Sequence, residues 1–437
     1  MKKYRLDIKW IVILAIVAFL FVFEVVPLFY LLVRSLFPDG SFSFTSFIKV
    51  YTDELSWVSL KNTLITSGLT TIFGVILAFP LAFLVGRTDM YGKKFFRTLF
   101  VVTYMVPPYV GAMAWSRLLN PKVGLLNRFF MDLFNLSKAP FNIYSLGGVV
   151  WVLTCFFYPY AFITISRAME KMDPSLEEAS KISGASPLKT LLTVTVPMMT
   201  PSIIAAGLLV FVASASVFGI PYIIGTPAKI YTVTTRISDF VAIGSVEGLN
   251  IAVALAVFLM VIANIILYMT TFVVGKKQYI TMSGKSTRPN IVELGKWRWP
   301  ITGLVSLFSF IGVILPFATV AVTSFTINMG KPVSFSNMSL NAWQKVFTRD
   351  SIISSTKNSI VASLAAAFFG MVISCVMAYL LQRTKAKGKS IPDFLITLGS
   401  GTPSVTIALA LILSMSGKFG INIYNSLLFM IIAYIIK

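Results

Sequence analysis

The stretch that decides the fold is DPSLEEASKISGASPLKTLLTVTVP, residues 173–197, a polar run between two long apolar runs. Asp173 can cap a helix that begins at Pro174, since a side-chain oxygen before a first-turn proline satisfies the free amide groups of a helix start. Gly184 then interrupts, and the Ser-Pro pair at 186–187 supplies a second cap-plus-proline start. We therefore predict two short helices joined at a glycine, which form an elbow outside the apolar runs.

This spacing resembles the EAA loop of permeases from ATP-binding-cassette (ABC) importers of the binding-protein-dependent, MetI-like type. Glu178-Ala179-Ser180 matches the start of that loop, with serine for the usual second alanine. The run ends in Val-x-Val-Pro at 194–197 rather than Ile-x-Leu-Pro. In that family the elbow docks into a cleft on a separate ATPase. The resemblance implies Glu178 as the charged contact, Gly184 as the turn, and these coupling residues together: Glu178, Ala179, Gly184, Ala185, Ser186, Pro187, Leu188 and Pro197. The alternative is an ordinary polar loop with a short amphipathic helix.

The composition excludes a soluble globular protein, because 57% of the residues are hydrophobic and only 12% are charged. Apolar runs long enough to cross a bilayer recur, and they are too long for barrel strands. We predict an all-α polytopic membrane protein with about ten transmembrane helices, at 10–34, 60–86, 96–118, 145–166, 198–219, 249–274, 298–325, 358–381, 391–414 and 421–436.

The net charge of +21 is explained by the positive-inside rule rather than by nucleic-acid binding, because the basic residues cluster between apolar runs. The clusters at 2–9, 87–97, 276–298 and 383–389 place the N-terminus and the elbow in the cytoplasm. The first apolar run is too long for a signal peptide, so we predict an uncleaved first helix in the cell inner membrane.

No catalytic, metal or cofactor site is predicted. The chain has no histidine, and Cys155 and Cys375 fall inside apolar runs, where buried thiols are the default. The stretch GRTDMYGKK at 86–94 lacks the glycine spacing and the Ser or Thr of a phosphate loop. The chain is therefore not expected to be an enzyme, and ATP would be used by the partner subunit.

The chain repeats itself. Segments 59–107 and 355–403 align without a gap at an offset of 296 residues. Lys61-Asn62 then matches Lys357-Asn358, and Pro107 matches Pro403. We interpret 1–274 as a first MetI-like permease half with its coupling loop at 173–197, 275–297 as a cytoplasmic linker, and 298–437 as a second half, incomplete because it is truncated before its coupling loop. The offset places a second elbow near 474–493, so we expect a fragment or a shortened reading frame, with a natural permease that has one elbow as the alternative.

Prolines interrupt several of these runs and predict kinks at Pro27, Pro80, Pro107, Pro108, Pro159 and Pro316. The pair Pro107-Pro108 is the best candidate for an unwound stretch that faces a cavity. The fifth run and its outer end resemble the corresponding part of iron(III)-type permeases, whose relatives include thiamine and phosphonate transporters. That resemblance implies a translocation path along Ser214, Ser216, Gly219 and Pro221, with simple packing as the alternative for each residue.

Two polar residues within apolar runs have structural interpretations. Glu24 would be costly at mid-bilayer, so we expect it to be protonated or to snorkel toward the outer leaflet. Asn264 is expected to form an interhelical hydrogen bond rather than to bind a ligand.

The sequence as a whole predicts the permease subunit of an ABC importer. Its partners would be a cytoplasmic ABC ATPase dimer, an extracytoplasmic solute-binding protein and the lipid bilayer. Iron(III) is the leading substrate, with phosphonate, thiamine and polyamine as alternatives. An ion-gradient-driven secondary transporter is the main competing function, and a non-transporting membrane scaffold is the third.

Overall fold

The computed structural model describes residues 8–276, 291–328, 330–331, 333–383 and 390–437, and these are all helical or loop apart from isolated bridges. The helices before residue 277 are α1 (Ile8–Leu20), α2 (Val26–Leu36), α3 (Thr45–Thr52), α4 (Glu54–Arg87), α5 (Lys93–Met105), α6 (Pro108–Leu119), α7 (Leu125–Phe134), α8 (Leu146–Lys171), α9 (Ser175–Ile182), α10 (Pro187–Thr190), α11 (Val196–Ser216), α12 (Val233–Ile243) and α13 (Val246–Lys276). The later helices are α14 (Arg298–Ser309), α15 (Leu315–Thr323), α16 (Asn341–Thr348), α17 (Asp350–Arg383), α18 (Ser390–Gly401), α19 (Ser404–Met415) and α20 (Leu427–Ile436).

The protein is an all-helical polytopic membrane protein with seven to nine candidate spans among its described residues, fewer than the ten predicted. The predicted spans 96–118 and 391–414 are not straight helices. They are the pairs α5–α6 and α18–α19, bent by 104° and 107°. The predicted span 421–436 contains α20, which covers the 10 residues Leu427–Ile436 and is not among these candidate spans. Within the predicted linker 275–297, residues 277–290 lie outside the described residues, as do Thr384, Gly388 and Lys389 of the repeat.

Both bends occur at the prolines that the repeat aligns. Val106 and Pro107 have extended backbone conformations, with ψ of 133° and 128°, and Pro403 has ψ of 140°. A proline disfavours the helical region for the residue before it, so the chain leaves one helix there and starts another.

Three other prolines are accommodated by π-turns instead. The π-turns Phe21–Val25, Leu191–Thr195 and Phe310–Ile314 each end two residues before a proline: Pro27, Pro197 and Pro316. Proline has no N–H to give the carbonyl four residues earlier, and in each case the amide of the residue just before the proline bonds five residues back instead of four. The amide of Val26, for example, donates to the carbonyl of Phe21. Pro80 and Pro159 lie inside α4 and α8, which remain single helices.

The helix bounds repeat as the sequence does. Helices α3, α4 and α6 reappear as α16, α17 and α19 with both ends displaced by 296 residues (341 minus 45, 350 minus 54, 404 minus 108). The spans α1–α2 and α14–α15 also share a π-turn followed by a proline, at 21–27 and 310–316, but displaced by 289 residues (310 minus 21) rather than 296. The assignment of the two sets to homologous permease halves stays a prediction.

The described residues form two compact units. The central unit comprises Ser59–Thr232 and Ile265–Ser339. Its core is built on α8, whose Tyr158 and Phe162 meet the rings of Phe100 and Phe308 with centroids 5.3–5.9 Å apart. Helix α11 packs along α8, and α15 packs against α6. The span α14–α15, with which the predicted second half begins, thus belongs to the same unit as the bent pair α5–α6.

The terminal unit comprises the described residues of Met1–Val58, Val233–Asn264 and Leu340–Lys437. Here α2 packs against α19, and Ile13 and Ile16 of α1 join a buried cluster with Met377, Leu380 and Leu395. Glu24 does not snorkel, because its side chain is buried against Gly399 of α18. The amide of Asn264 donates to Thr402 Oγ1 at 3.3 Å, so the predicted interhelical hydrogen bond is confirmed. Cys155 is buried as expected, whereas Cys375 on α17 is exposed.

Candidate functional site

The polar run folds into the predicted elbow. Helix α9 begins at Ser175 rather than at Pro174, and Asp173 Oδ1 accepts the Ser175 amide at 2.9 Å. The second start is as predicted: Ser186 caps α10 by accepting the amide of Lys189 at 3.3 Å, and Pro187 is its first residue. The side-chain oxygens therefore meet the free amide groups that a helix start leaves.

Gly184 makes the turn between the two helices. Its φ is +80°, a left-handed conformation that glycine adopts without steric cost. Its amide donates to the carbonyl of Lys181 at 2.9 Å, and the next amide, of Ala185, donates to Ser180 at 3.1 Å, which closes the end of α9. The hydroxyls of Ser180 and Thr190 lie 3.0 Å apart and tie α9 to α10. The elbow is thus a closed unit rather than a loose loop.

One side chain fastens the elbow to the rest of the central unit, and it is Glu177 rather than Glu178. The Glu177 carboxylate pairs with the guanidinium of Arg87 at the end of α4, and the two side chains are only 8% and 1% exposed. Its other oxygen accepts the hydroxyl of Thr195 at 2.7 Å. Glu178 is exposed. The sequence did not predict this role for Glu177, although Pro174 and Glu177 are three residues apart and both are buried.

The outward face of the elbow is apolar. Ile182 is 87% exposed and Leu188 is 65% exposed, and Leu176 and Leu192 are exposed as well. Of the predicted coupling residues, Ala185 is half-buried and the other seven are exposed. Exposed large apolar side chains on a polar segment are typical of an interaction surface.

The ion pair also fixes the topology of the central unit. Arg87 ends α4 and Glu177 follows α8, so both helices end on the same side, here called the elbow side. The chain must cross between Arg87 and the start of α8, so the bent pair α5–α6 is a broken span and not a re-entrant loop. On the opposite side, Arg128 donates to the carbonyl of Gly330 at 2.7 Å.

All the predicted path residues except Ser214 lie at or next to two helix breaks that the fold brings together. Helix α11 ends at Ser216, Val217 is extended, and a π-turn begins at Pro221. A Cβ on Gly219 would lie 3.1 Å from Tyr109 Cβ and 3.3 Å from its backbone nitrogen, so the break after α11 touches the break at Pro107-Pro108. Paired broken helices of this kind line substrate sites in transporters.

The other path residues are divided between packing and the break. Ser214 is buried, and its hydroxyl bonds to the carbonyl of Val210 at 2.8 Å, so it serves the helix itself. Ser216 Oγ is buried and has no hydrogen-bond partner among the described residues. Tyr109 and Tyr222 are partly exposed beside the breaks. Ser216 is therefore the predicted path residue whose hydroxyl is unpaired within the described part of the chain, and the translocation path itself stays a prediction.

A separate cavity of about 630 Å³ in the central unit is apolar. It lies between α4, α8 and α14 and is lined by side chains such as Phe73, Leu77, Trp151 and Phe308, with Thr154 as its one hydroxyl. It contains no residue of the elbow and none of the breaks. Its lining suits hydrocarbon rather than a polar solute.

The terminal unit holds an ion pair next to the start of α4. Arg236 donates to Asp53 Oδ2 at 3.0 Å and lies over the ring of Phe240. Burial raises the pKa of Asp53, but the hydrogen bonds from Ser56 and Arg236 and the charge of Arg236 outweigh it, so the pKa lies below its ordinary value.

The segment that contains the elbow and both helix breaks is similar to a known protein family. Residues 71–278 match the family model described as binding-protein-dependent transport system inner membrane component. The chain is 25% identical over 414 residues to a putative ferric transport system permease protein of Haemophilus influenzae, covering 92% of this chain and 63% of the relative. It is also 25% identical over 414 residues to the ferric transport system permease protein of Actinobacillus pleuropneumoniae, covering 92% and 58%.

These two relatives are longer than the chain, which spans about three-fifths of their length. A shorter match, 30% identical over 193 residues, is to an sn-glycerol-3-phosphate transport system permease of Yersinia enterocolitica, and it covers 43% of this chain and 65% of the relative. The fold is similar to a chain in the crystal structure of a bacterial alginate ABC transporter in complex with its periplasmic protein. That match has a TM-score of 0.51 and 19% identity, and covers 64% of this chain and 96% of the other.

Proposed function

We propose that this chain is the permease of a binding-protein-dependent ABC importer, and that its elbow is the docking site for a separate ATPase. The observation that carries the proposal is the elbow itself: two capped helices around Gly184, held from inside by Glu177, with Ile182 and Leu188 exposed on the outside. The match of residues 71–278 to the transport-system family supports it.

The elbow side would then be the cytoplasm. The positive-inside distribution of the sequence agrees, since Arg87, Lys93 and Arg97 lie at this side of the central unit together with the elbow. An ATPase bound there could transmit its nucleotide-driven closure to α9 and α10. The two helix breaks at Pro107 and Gly219 would form the path for solute, which an extracytoplasmic binding protein would deliver.

Iron(III) is the proposed substrate. The support is the similarity of nearly the whole chain to two ferric transport system permeases. Phosphonate, thiamine and polyamine are the alternatives that uptake competition would separate. The ion-gradient-driven alternative leaves the elbow without a role.

The test is co-purification of the full chain from native membranes, followed by reconstitution with the ATPase that it captures and with the binding protein. We expect capture of an ABC ATPase, and ATP-dependent uptake of radioactive iron(III) that excess unlabelled thiamine or phosphonate does not reduce. A variant with Ile182→Asp and Leu188→Asp should insert normally but lose the ATPase. Normal capture by that variant would refute the docking assignment, and uptake that follows an ion gradient without ATP would refute the class.

A further inference from the structure

The short turn between α4 and α5, residues 87–91, holds a second set of contacts beside the elbow pair. The carbonyl of Arg87 accepts the amide of Val292 at 2.8 Å, and the amide of Asp89 donates to the carbonyl of Val292 at 3.3 Å. Asp89 Oδ1 accepts the amide of Leu294 at 2.9 Å. The turn and the segment that leads into α14 are thus paired like two strands, with a parallel bridge between Thr88 and Val292.

The same turn holds the first residues of α14 through side chains. Arg298 Nη1 lies 3.6 Å from Asp89 Oδ2, and its guanidinium stacks 3.7 Å from the centroid of the Tyr91 ring. The Tyr91 ring also meets Trp299, with centroids 4.6 Å apart. A guanidinium that pairs with a carboxylate and stacks on a ring is restricted in its orientation. The start of α14 is therefore anchored to this turn.

The elbow is anchored to the other side of the turn by the buried pair of Arg87 and Glu177. Breaking such a pair leaves an uncompensated charge in a low-dielectric interior, which is far more costly than the loss of a surface pair. The turn therefore has the elbow on one side and the start of α14 on the other, with Arg87 bonding to both through its side chain and its carbonyl.

We propose that residues 87–91 are a mechanical junction, in which Arg87, Asp89 and Glu177 act as positioning residues that make the elbow, the end of α4 and the start of α14 move as one body. The inference rests on the proposed function, because the elbow is taken to receive the movement of an ATPase. Its consequence is that one docking event drives two spans of the central unit: α4, and α14–α15 of the second repeat.

The first test measures the junction without the ATPase. Spin labels at Lys181→Cys and Lys296→Cys, both exposed positions, report the distance between the elbow and the segment before α14 in a chain whose two native cysteines are replaced by alanine. We expect one narrow distance distribution in bilayer nanodiscs. Glu177→Gln should lose that narrow distribution, because the buried guanidinium of Arg87 loses its countercharge on the elbow.

The matched control is Glu170→Gln. It removes the pair of Arg97 and Glu170, whose side chains are 47% and 45% exposed on the same side, and should leave the distribution narrow. The exchanged pair Arg87→Glu with Glu177→Arg should restore the narrow distribution. If Glu177→Gln does not purify, Asp89→Asn tests the junction through its contact with Arg298 at the start of α14. The Asp89 side chain is partly exposed, so this variant should fold.

The second test measures coupling. In the reconstituted system, Glu177→Gln and Asp89→Asn should still bind the ATPase, because the outer face of the elbow is unchanged. The solute taken up per ATP hydrolysed should fall by about tenfold, a size typical of coupling between sites. A narrow distribution and normal coupling in both variants would overturn the junction. A different outcome would separate the two proposals. If the parent chain captures no ATPase, but its distance distribution is narrow and Glu177→Gln broadens it, the proposed function is overturned and the junction is not.

Discussion

Substitution of Gly184 should weaken ATPase docking in proportion to the cost of its backbone conformation. Gly184 has φ of +80°, and a Cβ added there would meet nothing within 4 Å, so alanine is opposed only by the left-handed backbone. That cost is about 1–2 kcal/mol. Alanine would lower the population of the docking conformation by no more than this free-energy cost allows. The apparent affinity for the ATPase should therefore fall by at most about 5- to 30-fold. Gly184→Asn should stay closer to the parent, because asparagine tolerates this conformation.

Gly184→Pro should abolish docking. Proline fixes φ near −65° and removes the amide that donates to the carbonyl of Lys181 at 2.9 Å. The assay is titration of purified ATPase against the chain in nanodiscs, with uptake measured in parallel and membrane insertion as the control. The order glycine, asparagine, alanine, proline is the expected ranking. Equal affinities for alanine and proline, or normal uptake with proline, would refute the reasoning that the turn presents the docking surface.

Three further outcomes follow from contacts described above. Glu178→Lys, at an exposed position, should abolish uptake while leaving the thermal unfolding midpoint unchanged; a wild-type uptake rate would remove this residue from the docking surface. Gly111→Ala should lower the unfolding midpoint, because its Cβ would lie 1.8 Å from the Phe156 ring and overpacking costs about 1–3 kcal/mol, and Phe156→Leu in the same chain should restore it. The pKa of Asp53 is lowered beside Arg236, so its contribution to stability is complete above its ordinary pKa of 3.8 and is lost as the pH falls through the lower folded value. Asp53→Asn should therefore lower the unfolding midpoint at pH 7 and flatten its decline in acid; an unchanged acid profile would contradict this.

The sequence predicts the spans well because bilayer thickness sets their length, but it does not predict what each proline does. Pro159 lies inside one continuous helix, Pro27 follows a π-turn, and Pro107 breaks its run with a bend of 104°. Each of the three prolines frees a backbone carbonyl, and only Pro107 is followed by a second proline, so the outcome depends on the next residue and on which neighbours accept the freed groups. A ten-span count follows from the runs alone, whereas the two bends require the fold.

The elbow could be predicted in its outline and not in its attachment. Capping and the glycine turn are local, so residues 173–187 reveal them directly. The choice of Glu177 over Glu178 as the buried residue depends on Arg87, which is 90 residues away in sequence. Adjacent residues on a helix point in different directions, and only the packing of α9 decides which of the two faces inward.

The span α1–α2 belongs to the terminal unit and the span α14–α15 to the central unit. This assignment has a consequence for the order in which the two units can fold during synthesis. During synthesis α1 and α2 emerge first, but the terminal unit that holds them also needs α17, α18 and α19, which follow residue 349. The central unit is complete once the ribosome has passed Ser339. Because domains fold as units while the chain is being synthesised, the central unit should close first around α14 and α15. The first span must then wait in the bilayer for more than three hundred residues before it meets its partners, and a ribosome that stalls before α17 would leave it exposed to quality-control proteases.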